Sequence, residues 1–147
     1  MKIMFVCTGN TCRSAMAKGM LEMKLKELGK KDKVESCGIF AYDGDPATEE
    51  SIEAVEEYGV DLKKHKATNI RNSKIEKMDL ILCATSEHKK AVLAIYPKLT
   101  EKIYTMKEYV GYTDSLDLAD PWGYTMHTYR KCAQEIYFII EKIVEII

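Results

Sequence analysis

"KIMFVCTGNTCRSAMAKGMLEMKLKELG", residues Lys2 to Gly29, passes from a short apolar run through a glycine-bearing turn into a longer amphipathic segment. "KIMFVC" is almost continuously apolar, the pattern of a strand buried on both faces. "TGNT" supplies turn chemistry. From Arg13 onward, Ala15, Met16, Met20, Met23, Leu25 and Leu28 fall near helical spacing, and Gly29 stands where a C-terminal cap belongs. The stretch therefore reads as strand, tight turn, helix.

The same alternation continues downstream. "KVESCGI" predicts a second strand, and "AYDGDPAT" is rich in turn residues. A helix is expected from about Glu49 to Tyr58, with Thr48 as N-cap and Gly59 closing it. "MDLILCAT" is another buried apolar run, followed by "SEHKKAVLAIY", helical until Pro97 interrupts it. "KIYTM" predicts a last short strand. At the end, Tyr129, Cys132, Ile136, Ile139, Ile140, Ile143 and Ile147 follow the helical period. Glu141, Lys142 and Glu145 interrupt that helix, so it packs on a core rather than spanning a membrane.

Strands alternating with helices imply βαβ units, hence a parallel sheet with helices on both faces. In such folds ligands sit beyond the carboxyl ends of the strands, where Cys7 and the turn after it fall. The chain of 147 residues is about the size of one domain, expected here to run over 1–147. Its net charge of −1, with both signs interspersed, offers no basic face for nucleic acid. The N-terminus is too short in apolar residues for a secretory signal, and no run reaches membrane-spanning length. A cytoplasmic protein without membrane partners is the expectation.

Five cysteines, Cys7, Cys12, Cys37, Cys83 and Cys132, are an odd number scattered along a chain able to build its own core. Such thiols are buried small hydrophobes or reactive groups rather than a disulfide framework. The loop "CTGNTCRS" decides between these for the first two. It leads into a helix N-terminus, where free N–H groups and the helix dipole attract an anion. Gly9 lets successive N–H groups converge, and Arg13 adds a planar fork matched to two phosphoryl oxygens. Cys7 at the base of this cradle is placed to act as a thiolate, with Ser14 within reach to hold it. The competing reading makes Cys7 a small core residue at a strand end and Arg13 a solvated first-turn arginine; the strand before and the helix after favour the cradle. A phosphoryl leaving group also needs a proton, and Asp120 of "DLADPWG" is the candidate acid, with Trp122 walling the pocket.

These residues resemble the low-molecular-weight protein tyrosine phosphatases. "VCTGNTCRS" matches their nucleophile loop and "DPW" their late acid loop, while "ESCGI", "GVDLKKHKA" and "MDLILCAT" are similar to the segments between. The resemblance implies a four-stranded parallel sheet flanked by helices and a phosphocysteine intermediate. Cys7 would attack phosphorus, Arg13 bind its oxygens, and Asp120 protonate the leaving atom and then activate water. Thr8, Gly9, Asn10, Thr11, Cys12, Ser14 and Trp122 would surround the substrate, with Asn10, Ser14 and His65 keeping the loop in shape. No cofactor or metal is implied, and His65, His88 and His127 show no ligand spacing.

Thr11 departs from the aliphatic residue of most tyrosine-specific members and resembles the bacterial protein-arginine phosphatase branch, as do "YTMKEYV" and "DPWG". A hydroxyl in the pocket favours a polar guanidinium, whereas an aliphatic group complements a phenol ring. The alternative is a surface threonine and a phosphotyrosine substrate. Two smaller departures, Ala15 for the usual proline and Ala119 where an acid often stands, remove no required group. The family also implies that Cys12 is the redox partner that captures an oxidised Cys7 as a disulfide. Two other functions share parts of the pattern. Arsenate reduction needs a relay of further cysteines, for which Cys83 has no close partner thiol and Cys37 and Cys132 read as core. A cysteine phosphocarrier needs neither Arg13 nor a distant acid.

Overall fold

The computed structural model describes residues 1–147. Along the chain lie β1 (Lys2–Cys7), α1 (Arg13–Glu27), β2 (Lys33–Gly38), α2 (Glu49–Glu56), β3 (Leu80–Cys83), α3 (Ser86–Ile95), β4 (Ile103–Thr105), α4 (Met106–Tyr109) and α5 (Met126–Ile146). The four strands form one parallel sheet in the order β2-β1-β3-β4. β1 is thus a central strand, which is why its sequence lacks polar alternation. Its side chains serve two cores in turn: Ile3, Phe5 and Cys7 join the side built with α1, α2 and α5, while Met4 and Val6 join the side covered by α3 and short 3-10 turns.

α1 is buried more widely than its expected stripe, because it is wedged between the sheet and α5. Ala17 and Leu21 are buried beside Ala15, Met16, Met20 and Leu25. The end of the stripe falls short: Met23 is only half-buried and Leu28, beyond the last helical turn, is exposed. Gly29 follows with φ 68, the left-handed geometry that ends the helix. α5 seals this face with Ile136, Ile139, Ile140 and Ile143, all fully buried and each stabilising by about 2 kcal/mol through area removed from water. The expected N-cap at Thr48 is present, its hydroxyl accepting from the Ser51 N–H at 3.1 Å.

The one-turn helix α4 has no counterpart in the hydrophobic pattern, being too short for a period to register. A reciprocal capping box holds it: Glu108 N–H donates to the Thr105 hydroxyl and Thr105 N–H to the Glu108 carboxylate. No helix is long and apolar enough to cross a membrane. The carboxyl end of β1 carries the loop 8–12 straight into α1.

Candidate active site

The loop after Cys7 is tied to the chain that follows β2. Ile39 N–H donates to the Cys7 carbonyl at 3.0 Å and Phe40 N–H to that of Thr8 at 2.9 Å. This approach is so close that a Cβ on Gly38 would lie 2.5 Å from the Thr8 carbonyl oxygen and 2.8 Å from the Asn10 nitrogen. Only glycine fits there, which explains the "SCGI" of the second strand.

Asn10 turns the loop with φ 57, a left-handed conformation that costs a non-glycine residue about 1 kcal/mol. Its wholly buried side chain offsets that cost. The amide Nδ2 donates to Ser14 Oγ at 2.7 Å and Ser36 Oγ at 2.9 Å, and Oδ1 accepts from the Thr68 N–H at 2.9 Å. His65 Nε2 pairs with the Asn10 carbonyl at 2.6 Å, the loop-holding contact expected of it. Because Ser14 Oγ accepts from Asn10, its own hydrogen is free to point at Cys7 Sγ, 2.9 Å away. Asn10 N–H adds a second contact to the sulfur at 3.3 Å. The Cys7 sulfur is thus met by two potential donors.

Arg13, the first residue of α1, is buried. Its Nη1 donates to the Leu118 carbonyl at 3.1 Å and its Nη2 lies 3.6 Å from Asp120 Oδ2. Nε is buried without a partner. An unpaired buried N–H costs about 1–3 kcal/mol, and an anion placed beside this guanidinium would supply the missing acceptor.

Cys7, Arg13 and Asp120, widely separated in sequence, line one pocket of about 230 Å³. Thr8, Gly9, Thr11, Cys12 and Trp122 complete its wall. Asn10 and Ser14, expected around the substrate, are not part of that lining; their side chains brace the loop. The Asp120 side chain is 55 % exposed, and its Oδ1 accepts the Trp122 N–H at 3.1 Å. Trp122 leaves 66 % of its surface to solvent, and Phe40, whose N–H holds Thr8, leaves 75 %. Phe40 carried no recognisable signal in the sequence, because its place depends on the Thr8 bond.

Cys12 shares the pocket with Cys7, and its thiol lies 3.5 Å from the Tyr129 hydroxyl and 3.7 Å from that of Thr48. The other three thiols are buried apart from it. Burial pushes Cys37 and Cys132 up to about 12 and raises Cys83 as well, so all three stay protonated and unreactive at neutral pH. None of the three lines the pocket that holds Cys7 and Cys12.

His88, which shows no signal in the sequence beyond its lack of metal-ligand spacing, holds the pocket. From the first turn of α3 its Nε2 pairs with Thr8 Oγ1 at 2.7 Å and its Nδ1 with Thr85 Oγ1 at 2.8 Å. Burial, and after it the Arg13 guanidinium, hold its pKa down to about 4. The unfolded chain therefore binds a proton near pH 6.5 that the folded protein refuses until about pH 4. Stability is complete above pH 6.5 and falls across that window by on the order of 2–3 kcal/mol. His88→Gln is expected to remove roughly 5–10 °C of the drop in thermal midpoint between pH 6.5 and 4. His65, also held down by burial, leaves a smaller residual slope. An unchanged midpoint profile in the variant rules this account out.

Comparison with known proteins agrees with this geometry. The family described as low molecular weight phosphotyrosine protein phosphatase matches residues 2–146. A protein-arginine-phosphatase of Geobacillus stearothermophilus is 35 % identical over 144 residues, covering 98 % of this chain and 94 % of that one. The crystal structure of a low molecular weight protein tyrosine phosphatase from T. tengcongensis superposes with a TM-score of 0.94 at 40 % identity, covering 100 % and 99 % of the two chains. A structure of the YwlE arginine phosphatase, described as a C7S mutant with phosphorylated active site serine, gives a TM-score of 0.93 at 31 % identity over 99 % and 94 %.

Proposed function

This chain belongs to the low molecular weight phosphotyrosine protein phosphatase family, and from that premise we propose that it removes phosphate from arginine side chains of proteins. It is a cysteine-dependent phosphoprotein phosphatase working through a phosphoenzyme. In the proposed cycle the Cys7 thiolate attacks phosphorus while Arg13 Nε and Nη2 hold two phosphoryl oxygens. The P–N bond breaks as Asp120 gives its proton to the departing guanidine nitrogen. The Asp120 carboxylate then takes a proton from water, the water oxygen attacks the phosphocysteine, and the S–P bond breaks to release phosphate and thiolate. Thr8, Gly9, Cys12 and Trp122 shape the pocket, and Asn10 and Ser14 hold its base. The relative that carries phosphate on serine in place of its cysteine supports the covalent step. The odd number of cysteines, scattered along a chain able to build its own core, supports the cytoplasm as the proposed location, to be checked by fractionation.

Thr11 carries the choice of arginine over tyrosine. It is half-buried and lines the pocket beside Cys7 and Cys12. A hydroxyl there suits a hydrated guanidinium and leaves an apolar phenol ring poorly complemented. The test compares kcat/KM on phosphoarginine and phosphotyrosine peptides in the wild type and in Thr11→Ile. The wild type is expected to prefer phosphoarginine, and the variant to shift toward phosphotyrosine by roughly 10- to 200-fold. Equal or better phosphotyrosine turnover by the wild type rejects the arginine assignment and leaves the phosphatase activity standing.

A further inference from the structure

The acid, Asp120, is weakly restrained at its own position: it is more than half exposed and sits in the irregular segment between α4 and α5. Its placement is set a few residues earlier. Leu118 is buried, its N–H donates to the Ala84 carbonyl at 2.9 Å, and its carbonyl accepts from Arg13. Asp117 uses its carboxylate to accept the Ser86 N–H at 2.8 Å. The Asp117 carbonyl accepts from Lys107 Nζ at 3.1 Å.

Lys107 is an unusual residue for that task. Lysine is rarely buried unless paired, yet this one is buried on α4 with its ammonium also 3.2 Å from Glu135 Oε2 of α5. The Tyr112 ring lies 5.8 Å from the same nitrogen. One cation thus links α4, the acid loop and α5. Three donor hydrogens allow a single ammonium to serve a carbonyl and a carboxylate together, which a methionine or leucine of similar volume cannot do.

We infer that Lys107 is a positioning residue for catalysis, a latch that fixes the acid loop through the Asp117 carbonyl and so holds Asp120 at the leaving atom. This rests on the assignment of Asp120 as the general acid. Lys107 touches neither substrate nor reacting atoms; its influence passes through the backbone of residues 117–120.

A latch of this kind has a signature that general loss of fold lacks. Substrates whose leaving group departs unaided need the acid little, while those with a basic leaving group need it fully. The experiment measures kcat/KM on phenyl phosphate and on 2,4-dinitrophenyl phosphate in the same preparations of wild type, Lys107→Met, Lys107→Gln and Asp120→Asn. Taking the ratio within one preparation cancels any unfolded fraction, and the milder glutamine variant serves if methionine does not fold. Both Lys107 variants are expected to lose at least about tenfold more activity on phenyl phosphate than on the dinitrophenyl ester, in the same sense as Asp120→Asn. Asp120→Asn shifting the ratio while the Lys107 variants lower both substrates equally, or neither, overturns the latch alone. An unshifted ratio in Asp120→Asn overturns the acid assignment and the latch with it.

Discussion

Cys7→Ser is expected to lower phosphatase turnover by about four orders of magnitude or more while leaving the thermal midpoint nearly unchanged. The substitution swaps sulfur for oxygen in a site whose other contacts persist: Asn10 N–H and the Ser14 hydroxyl still point at the position. The loss is therefore chemical. A serine hydroxyl is un-ionised at neutral pH and needs a base to become a nucleophile. No base is free to serve in the attacking step, since Asp120 enters it as the acid, His65 is engaged with the Asn10 carbonyl and His88 with Thr8 and Thr85. Steady-state hydrolysis of an aryl phosphate, with enzyme concentration set by a folded-state measurement, checks the result. Turnover retained within a hundredfold of wild type would falsify the nucleophile assignment.

Arg13→Lys keeps the charge and is nevertheless expected to cost about a thousandfold in kcat/KM. The guanidinium does two jobs at once. Nη1 anchors the Leu118 carbonyl, and with it the approach to Asp120, while Nε remains buried and unpaired beside the pocket. A lysine offers a single point donor with no planar fork, so it cannot hold the loop and bind two phosphoryl oxygens together. Each charge-assisted donor lost in a transition state is worth about 10²–10³ in rate. The same substitution abolishes stabilisation by bound anion: inorganic phosphate should raise the thermal midpoint of the wild type and not of the variant. Activity above a tenth of wild type, or undiminished stabilisation by phosphate, would show that Arg13 is not the phosphate fork.

Much of the molecule was legible before its structure. β1, the turn and α1 follow from local rules, an unbroken apolar run, turn residues and a helical period, each of which operates within a few residues. The central position of β1 accounts for its two-sided burial. Asp120 and Trp122 stood out through a turn signature, and Thr11 through its place in a motif. Leu28, by contrast, continued the period of α1 and is exposed, because a period describes a face and does not say where the neighbouring elements stop. Asn10, expected both near the substrate and as a brace of the loop, serves as the brace, because its left-handed backbone turns the side chain into the scaffold.

Residue order and pattern alone were enough for the parallel α/β architecture and for the strand, loop and helix that carry Cys7, Cys12 and Arg13. Folding supplied the partners. Arg13 meets Leu118 across 105 residues, His88 meets Thr8 across 80, and Gly38 is glycine because the Thr8 carbonyl passes over it. Lys107 carries no signal in the sequence; it gains partners only where α5 brings Glu135 beside it and the Asp117 carbonyl meets its ammonium. Hydrophobic period and turn chemistry are short-range and can be read along a chain. The pairing of buried polar groups is settled only when distant segments pack together, because each must find whichever donor or acceptor that packing leaves within 3 Å or so.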